Sequence, residues 1–243
     1  MKKISFMFTM LLTVLMSSLV ITSCSSDEEE EKKESVQQIF LTCPDNNHPH
    51  MIDLGLPSGT KWACCNIGAS SPEKAGGYYA WGETEEKEYY IETNYKFFLG
   101  DDIDGDGMID RNFNTIDIDS NIAGTRNDVS TKKWGTQWQI PTDEQIWELW
   151  VRCTRKKTKI NEVDCIEFYG SNGGRICIPL VGMKEKYQLI NDGFGFYWTS
   201  INAKGIINGI SATFGSETYL MVAPGEKASS GLQVRAIGSL VAN

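Results

Sequence analysis

The chain has 243 residues, of which 41% are hydrophobic, 11% aromatic and 23% charged. That balance fits one folded domain of moderate size and excludes a disordered or fibrous protein. The 23 glycines and 7 prolines follow no G-X-Y period, so collagen is out and a turn-rich, β-leaning fold is indicated. The net charge of −9 argues against a nucleic-acid partner, because binding a polyanion needs clustered Lys and Arg that release counterions.

Lys2 and Lys3 precede an apolar run from Ile4 to Ile21, which stops in Thr22-Ser23-Cys24. Residues 1–23 therefore read as a cleavable export signal rather than a membrane span, which would need about 20 apolar residues between polar flanks. Ile21-Thr22-Ser23-Cys24 resembles a bacterial lipobox. That resemblance implies that Cys24 becomes diacylated and that its acyl chains hold the mature protein on a membrane; simple secretion, with Cys24 incidental, is the alternative. Residues 24–36 form the lipidated cysteine and an acidic tether. The like charges from Asp27 to Glu31 repel one another and keep the segment extended. Ser25-Ser26-Asp27 followed by glutamates resembles the signal that sends Bacteroidetes lipoproteins to the outer face of the outer membrane, so a lipid-anchored, cell-surface location is expected. Processing removes two lysines and no acids, leaving 21 basic and 32 acidic residues and a mature net charge of −11.

From Gln37 to Asn243 the composition is that of one domain. His48 and His50, in Asn47-His48-Pro49-His50, share one side of an extended segment, where a metal clip is conceivable but no third ligand is apparent; an exposed linker is the competing reading. Short β runs follow at Met51–Leu54, Lys61–Ile67 and Tyr78–Trp81. A short helix is predicted from Asp128, as cap, through Val129 to Trp134, ending at Gly135. A longer one starts at Thr142, with Gln145 as capping-box partner, and puts Ile146, Leu149, Trp150 and Cys153 on one buried stripe. Arg152, Arg155, Lys156, Lys157 and Lys159 are then explained by the dipole at that helix's end. Further strands are predicted at Val163–Phe168, Ile176–Val181, Phe196–Ser200, Ile206–Phe214, Thr218–Val222 and Gly231–Ile237. The sum is an α+β fold, β-rich, in a single domain with about two short helices.

Several blocks occur in order: Asp53-Leu54-Gly55-Leu56-Pro57-Ser58-Gly59-Thr60-Lys61-Trp62-Ala63, Asn66-Ile67-Gly68-Ala69, Gly77-Tyr78-Tyr79-Ala80-Trp81-Gly82-Glu83, Trp134-Gly135, Pro141-Thr142, Tyr197-Trp198-Thr199-Ser200 and Gly231-Leu232-Gln233-Val234-Arg235. Together they resemble the Fibrobacter succinogenes major paralogous domain, a family abundant in Bacteroidetes surface proteins. The resemblance implies a fold similar to the C-type-lectin-like and sulfatase-modifying-factor folds, but not an activity. The chain departs from the family at Gln139, where the family usually has Arg, and in the acidic loop at 100–119. Sulfatase-modifying enzymes use a cysteine pair late in the fold, whereas the last cysteine here is Cys177.

Asp102, Asp104, Asp106, Met108 and Asp110 occupy positions 1, 3, 5, 7 and 9 of a calcium-type loop, with Gly107 at position 6 of the reading from Asp102. Phe113 stands where a bidentate Glu would close the shell, so calcium is expected to bind weakly, at roughly 10⁻⁴ to 10⁻³ M; a solvated acidic loop is the alternative. Tyr79, Trp81, Glu83 and Tyr90 form a candidate glycan-binding set, in which rings stack on a sugar face and the carboxylate meets its hydroxyls. The competing reading puts Trp81 and one of each tyrosine pair in the core. Once Cys24 is lipidated, six cysteines remain, with 15 possible full pairings and no C-x-x-C spacing. A Cys65–Cys153 disulfide and free buried thiols are both open. No enzyme motif emerges. The expected function is a non-catalytic binding or adhesion module for a glycan or protein partner; an enzyme with an unrecognised site, or a structural subunit of a surface assembly, are the alternatives.

Overall fold

In the computed structural model, residues 38–106, 117–190, 193–202 and 208–238 are described. Cys24, the acidic tether, Met108 and Asp110 lie outside them, and Gln37–Asn243 form a unit distinct from Met1–Val36. In chain order the elements are β1 (Ile39–Phe40), β2 (Met51–Asp53), β3 (Lys61–Ala63), a 3-10 turn (Glu92–Asn94), α1 (Val129–Trp134), β4 (Trp138–Gln139) and α2 (Asp143–Arg152). They continue with β5 (Thr154–Ile160), β6 (Val163–Tyr169), β7 (Arg175–Pro179), β8 (Met183–Glu185), β9 (Gln188–Ile190), β10 (Gly195–Asn202), β11 (Asn208–Ser216), β12 (Tyr219–Lys227) and β13 (Ile237–Gly238). The fold is thus a β-rich α+β arrangement. None of its described helices is long and apolar enough to cross a membrane.

The central sheet runs β1-β2-β3-β13-β4, so the last strand is inserted between β3 and β4 and ties the end of the body to its beginning. Alternation along these strands builds two cores. Met51, Ala63, Trp138 and Ala236 face one apolar cluster, while Ile52, Trp62 and Ile237 face the other. A sheet buried on both faces needs apolar residues at successive positions, which is why these strands read as continuous apolar runs. The second cluster is roofed by α2 and by the meanders β5-β6-β7 and β10-β11-β12. The turn after β6 lies hard against β2. A Cβ on Gly174 would stand 1.8 Å from the Asp53 carbonyl oxygen, and one on Gly170 would stand 2.1 Å from that of Leu54.

Local signals set both helices. The Asp128 carboxylate accepts hydrogen bonds from the backbone N–H of Ser130 and Thr131, capping α1, and also from those of Gly124 and Ile140. Burial pushes its pKa up while these bonds pull it down, and burial prevails. On α2, Thr142 Oγ1 accepts from Gln145 N–H while Gln145 Oε1 accepts from Thr142 N–H, which is the expected capping box. Ile146, Leu149 and Cys153 are buried beneath it.

Three expectations are corrected. The basic cluster is not a helix end: only Arg152 lies in the last turn of α2, while Arg155, Lys156, Lys157 and Lys159 belong to β5, an edge strand of its sheet. Lysines on such an edge discourage pairing with another chain. The β run expected over Lys61–Ile67 stops at Ala63, so Cys64 and Cys65 lie beyond the strand, and both are buried. Finally, Tyr78–Trp81 forms no strand; a single bridge joins Tyr79 to Leu232. Besides the backbone bonds from Leu232 N–H to Tyr79 O and from Glu83 N–H to Ala80 O, side chains meet its carbonyls. Tyr90 Oη donates to Tyr78 O, Trp198 Nε1 to Tyr79 O (2.7 Å) and Tyr95 Oη to Trp81 O (2.8 Å). A buried loop must satisfy its backbone, and here aromatic residues do so.

Candidate functional site

The binding set expected from sequence is not a surface. Tyr79, Trp81 and Tyr90 expose 2%, 0% and 2% of their area, because their rings fill the first core and their polar tips brace loops. Burial of ring area outweighs any contact with a ligand. Glu83 is also committed: it pairs with Lys87 at 3.0 Å and accepts from Lys96 N–H at 2.8 Å. Tyr79, Trp81, Glu83 and Tyr90 are therefore corrected from a ligand face to scaffold.

Two exposed tyrosines, Tyr89 of the same stretch and Tyr187, meet at the surface. Tyr187, at the tip of the β8–β9 hairpin, is 70% exposed, and its ring meets that of Tyr89 at 4.9 Å, tilted by 61°. Leu189 is exposed beside it, and Glu185, Lys186, Tyr187, Gln188 and Ile190 line a cleft of about 250 Å³. The hairpin turns at Lys186, whose φ is +51°. Tyr89 Oη donates to Glu88 Oε1, and Lys87 Nζ to Asn94 Oδ1. The sequence missed Tyr187 because a lone tyrosine between polar residues carries no periodicity.

Asp102, Asp104 and Asp106 bring one carboxylate oxygen each within 4.8 Å of one another. Asp102 Oδ1 accepts from Gly105 N–H and Asp104 Oδ1 from Asp106 N–H, so the turn is stabilised by its own backbone, with Gly105 at φ +77°. The remaining expected calcium ligands, Met108 and Asp110, lie outside the described residues, as does Cys24.

A second convergence was not foreseen. His48 and His50, for which the sequence offered no third ligand, meet Cys43 and Cys64. Cys43 Sγ lies 3.6 Å from each histidine's Nδ1, and Cys64 Sγ lies 3.2 Å from His48 Nδ1 and 3.5 Å from His50 Nδ1. His50 Nε2 lies 3.2 Å from Asp45 Oδ1, and His50 N–H donates to Cys64 Sγ at 3.2 Å. Burial pushes the Cys43 thiol up to about 12 and also raises Cys64, where a hydrogen bond with Cys65 is the larger cause. Burial and the neighbouring His50 lower His48. Cys43 and Cys64 open on a cleft of about 250 Å³ shared with Glu73, Glu167, Arg175 and Cys177.

The Cys65–Cys153 disulfide does not form; both thiols are free. Cys65 is held beside Cys64, whose hydrogen bond lowers its pKa, with the nearby Arg235 guanidinium acting in the same direction. Cys153 instead has Arg155 and Glu148 as its charged neighbours. Arg235 itself is only 1% exposed. It donates to Asn66 Oδ1 (2.8 Å) and to the carbonyls of Ala63 (3.0 Å), Cys177 (2.8 Å) and Pro72 (3.3 Å).

Comparison with protein families, characterised proteins and solved structures yields no match for this chain.

Proposed function

We propose that the protein is a surface lipoprotein of the Fibrobacter succinogenes major paralogous domain type, with a C-type-lectin-like or sulfatase-modifying-factor-like body serving as a non-catalytic recognition module. Lipid on Cys24 fixes it to the outer membrane and the acidic segment gives it reach. The observation that carries the recognition reading is the exposed Tyr89–Tyr187 ring pair, flanked by Glu88, Asn94 and Gln188. Rings with amphipathic edges and polar neighbours suit a sugar face better than a flat protein surface. Calcium on the Asp102 loop belongs to the same proposal, supported by the convergence of its three carboxylates.

The enzyme reading has one supporting observation, the thiol- and carboxylate-lined cleft at Cys43, Cys64, Cys177, Glu73 and Glu167. Against it, the Cys43 thiol is raised by burial and the Cys64 thiol by its hydrogen bond with Cys65 and by burial, and thiols held protonated are poor nucleophiles. The test is a glycan array with the full chain, with calcium and with chelator. Binding that disappears in Tyr187→Ala supports the proposal; an array without any bound sugar would set the glycan reading aside. A Cys24→Ala chain that still fractionates with the outer membrane would refute the anchor.

A further inference from the structure

We propose that Cys43, His48, His50 and Cys64 are the four ligands of one divalent metal ion of the zinc class. The geometry is that of a tetrahedron. Zinc binds thiolate sulfur at about 2.3 Å and imidazole nitrogen at about 2.0–2.1 Å, so at the tetrahedral angle a sulfur and a nitrogen ligand stand about 3.5–3.6 Å apart. The four sulfur–nitrogen separations here are 3.6, 3.6, 3.2 and 3.5 Å, which is four of the six edges. The rings of His48 and His50 are turned 78° to each other, so each aims Nδ1 inward without stacking.

The surroundings match what a metal ligand set needs. A histidine ligand usually gives its other ring nitrogen to a carboxylate, which fixes the tautomer. His50 Nε2 does so with Asp45, leaving the Nδ1 lone pair facing the two sulfurs. The His50 backbone N–H points at Cys64 Sγ, as donors do toward thiolates carrying charge. The cleft on which Cys43 and Cys64 open offers a way in for the ion. Two sulfurs and two imidazoles select zinc over calcium or magnesium, which prefer oxygen. Four protein ligands leave no open position, so the ion would be structural. It would clip the segment between β1 and β2 to the end of β3. Those strands need the help, since β1 and β2 pair through only Ile39↔Met51 and Phe40↔Ile52.

The test uses the full chain isolated from cell envelopes without added reductant. Elemental analysis should find about one zinc per chain, and cobalt(II) in its place should give the visible bands of tetrahedral coordination and the near-ultraviolet bands of sulfur ligation. Chelation should expose Cys43 and Cys64 to alkylation and lower the thermal midpoint by about 5 °C or more. Cys43→Ser and His48→Ala should lose the metal. Because such variants can misfold, Asp45→Asn provides the second arm: Asp45 is exposed, so the fold should stand while zinc affinity falls about 10- to 100-fold. A Cys43–Cys64 disulfide in the isolated chain, refusal of zinc and cobalt by the folded reduced chain, or full zinc retention in the Cys43→Ser/Cys64→Ser double variant would each overturn the proposal.

Discussion

Arg235 is the buried residue whose removal tests the architecture most directly. Replacing it by Met keeps much of the side-chain volume but deletes every donor, leaving Asn66 Oδ1 and the carbonyls of Ala63, Cys177 and Pro72 without the guanidinium. A buried acceptor stripped of its donor costs about 1–3 kcal/mol. The full sum is not expected, because Met also removes the cost of burying a cation that, among the described residues, takes part in no salt bridge. A net loss of about 3–5 kcal/mol is expected from the stripped acceptors, and a body of this size then melts roughly 10 °C lower. Arg235→Lys should recover only part of this, since an ammonium cannot reach four acceptors held in a fork. The assay is equilibrium denaturation of the full chain followed by tryptophan fluorescence. If Arg235→Met unfolds within 1 kcal/mol of the unaltered protein, or proves more stable, then the carbonyls are satisfied by other means and the network is not what joins β3, β7 and the closing segment.

Gly174→Ala would place a methyl 1.8 Å from the Asp53 carbonyl oxygen, so the β6–β7 turn must lift off β2; the expected cost is about 2 kcal/mol or more, read as a lower thermal midpoint. Asp53 gives a pH prediction. Burial alone would raise its pKa, but the hydrogen bonds from Lys61, the Gly55 N–H and Asn172 hold it below the ordinary carboxylate value. A folded pKa below the unfolded one means stability that is fully present above about pH 4 and lost as the pH falls through the lowered value. Denaturation midpoints across that range should therefore be flatter in Asp53→Asn, and an unchanged slope would contradict the pairing.

Both helices were legible in the sequence because their signals are local. Asp128, and the pair Thr142 and Gln145, cap the helices they were expected to cap, and the stripe Ile146, Leu149 and Cys153 faces the core. β5 was illegible because four basic residues crowd a strand whose exposed edge tolerates them, which masks the period of two. The facing of the aromatic block was undecidable from composition: a tyrosine in a loop looks the same whether its hydroxyl meets water or a backbone carbonyl. Arg235 stood within a quoted motif, yet a charged side chain in a sequence gives no sign of being buried. The Cys/His cluster had a signal after all, since Cys43, His48, His50 and Cys64 are four metal-ligating residues within one short window. Counted from Cys43, the other three follow 5, 7 and 21 residues on, which is no familiar pattern. Only the antiparallel pairing of β2 with β3 folds Cys64 back beside His50.

The buried tyrosines and the exposed ones proposed to meet a ligand are separable by experiment. Tyr95→Phe deletes one oxygen and leaves the Trp81 carbonyl short of a buried donor, so it should cost about 1–3 kcal/mol of stability. Because Tyr95 is buried, ligand binding at saturating folded fraction should not change. Tyr187→Ala should do the reverse: the residue is 70% exposed and its loss should move stability by no more than about 0.5 kcal/mol, while any sugar stacked on the ring loses affinity. The two variants are compared by denaturation and by calorimetry with whichever glycan the array returns. Loss of binding without loss of stability in Tyr95→Phe would mean that the 78–95 stretch opens to admit ligand. The same pattern in Tyr187→Ala, with Tyr95→Phe only unstable, follows if rings inside the body hold loops in place so that rings outside it can be offered rigidly, at a lower entropic cost on binding.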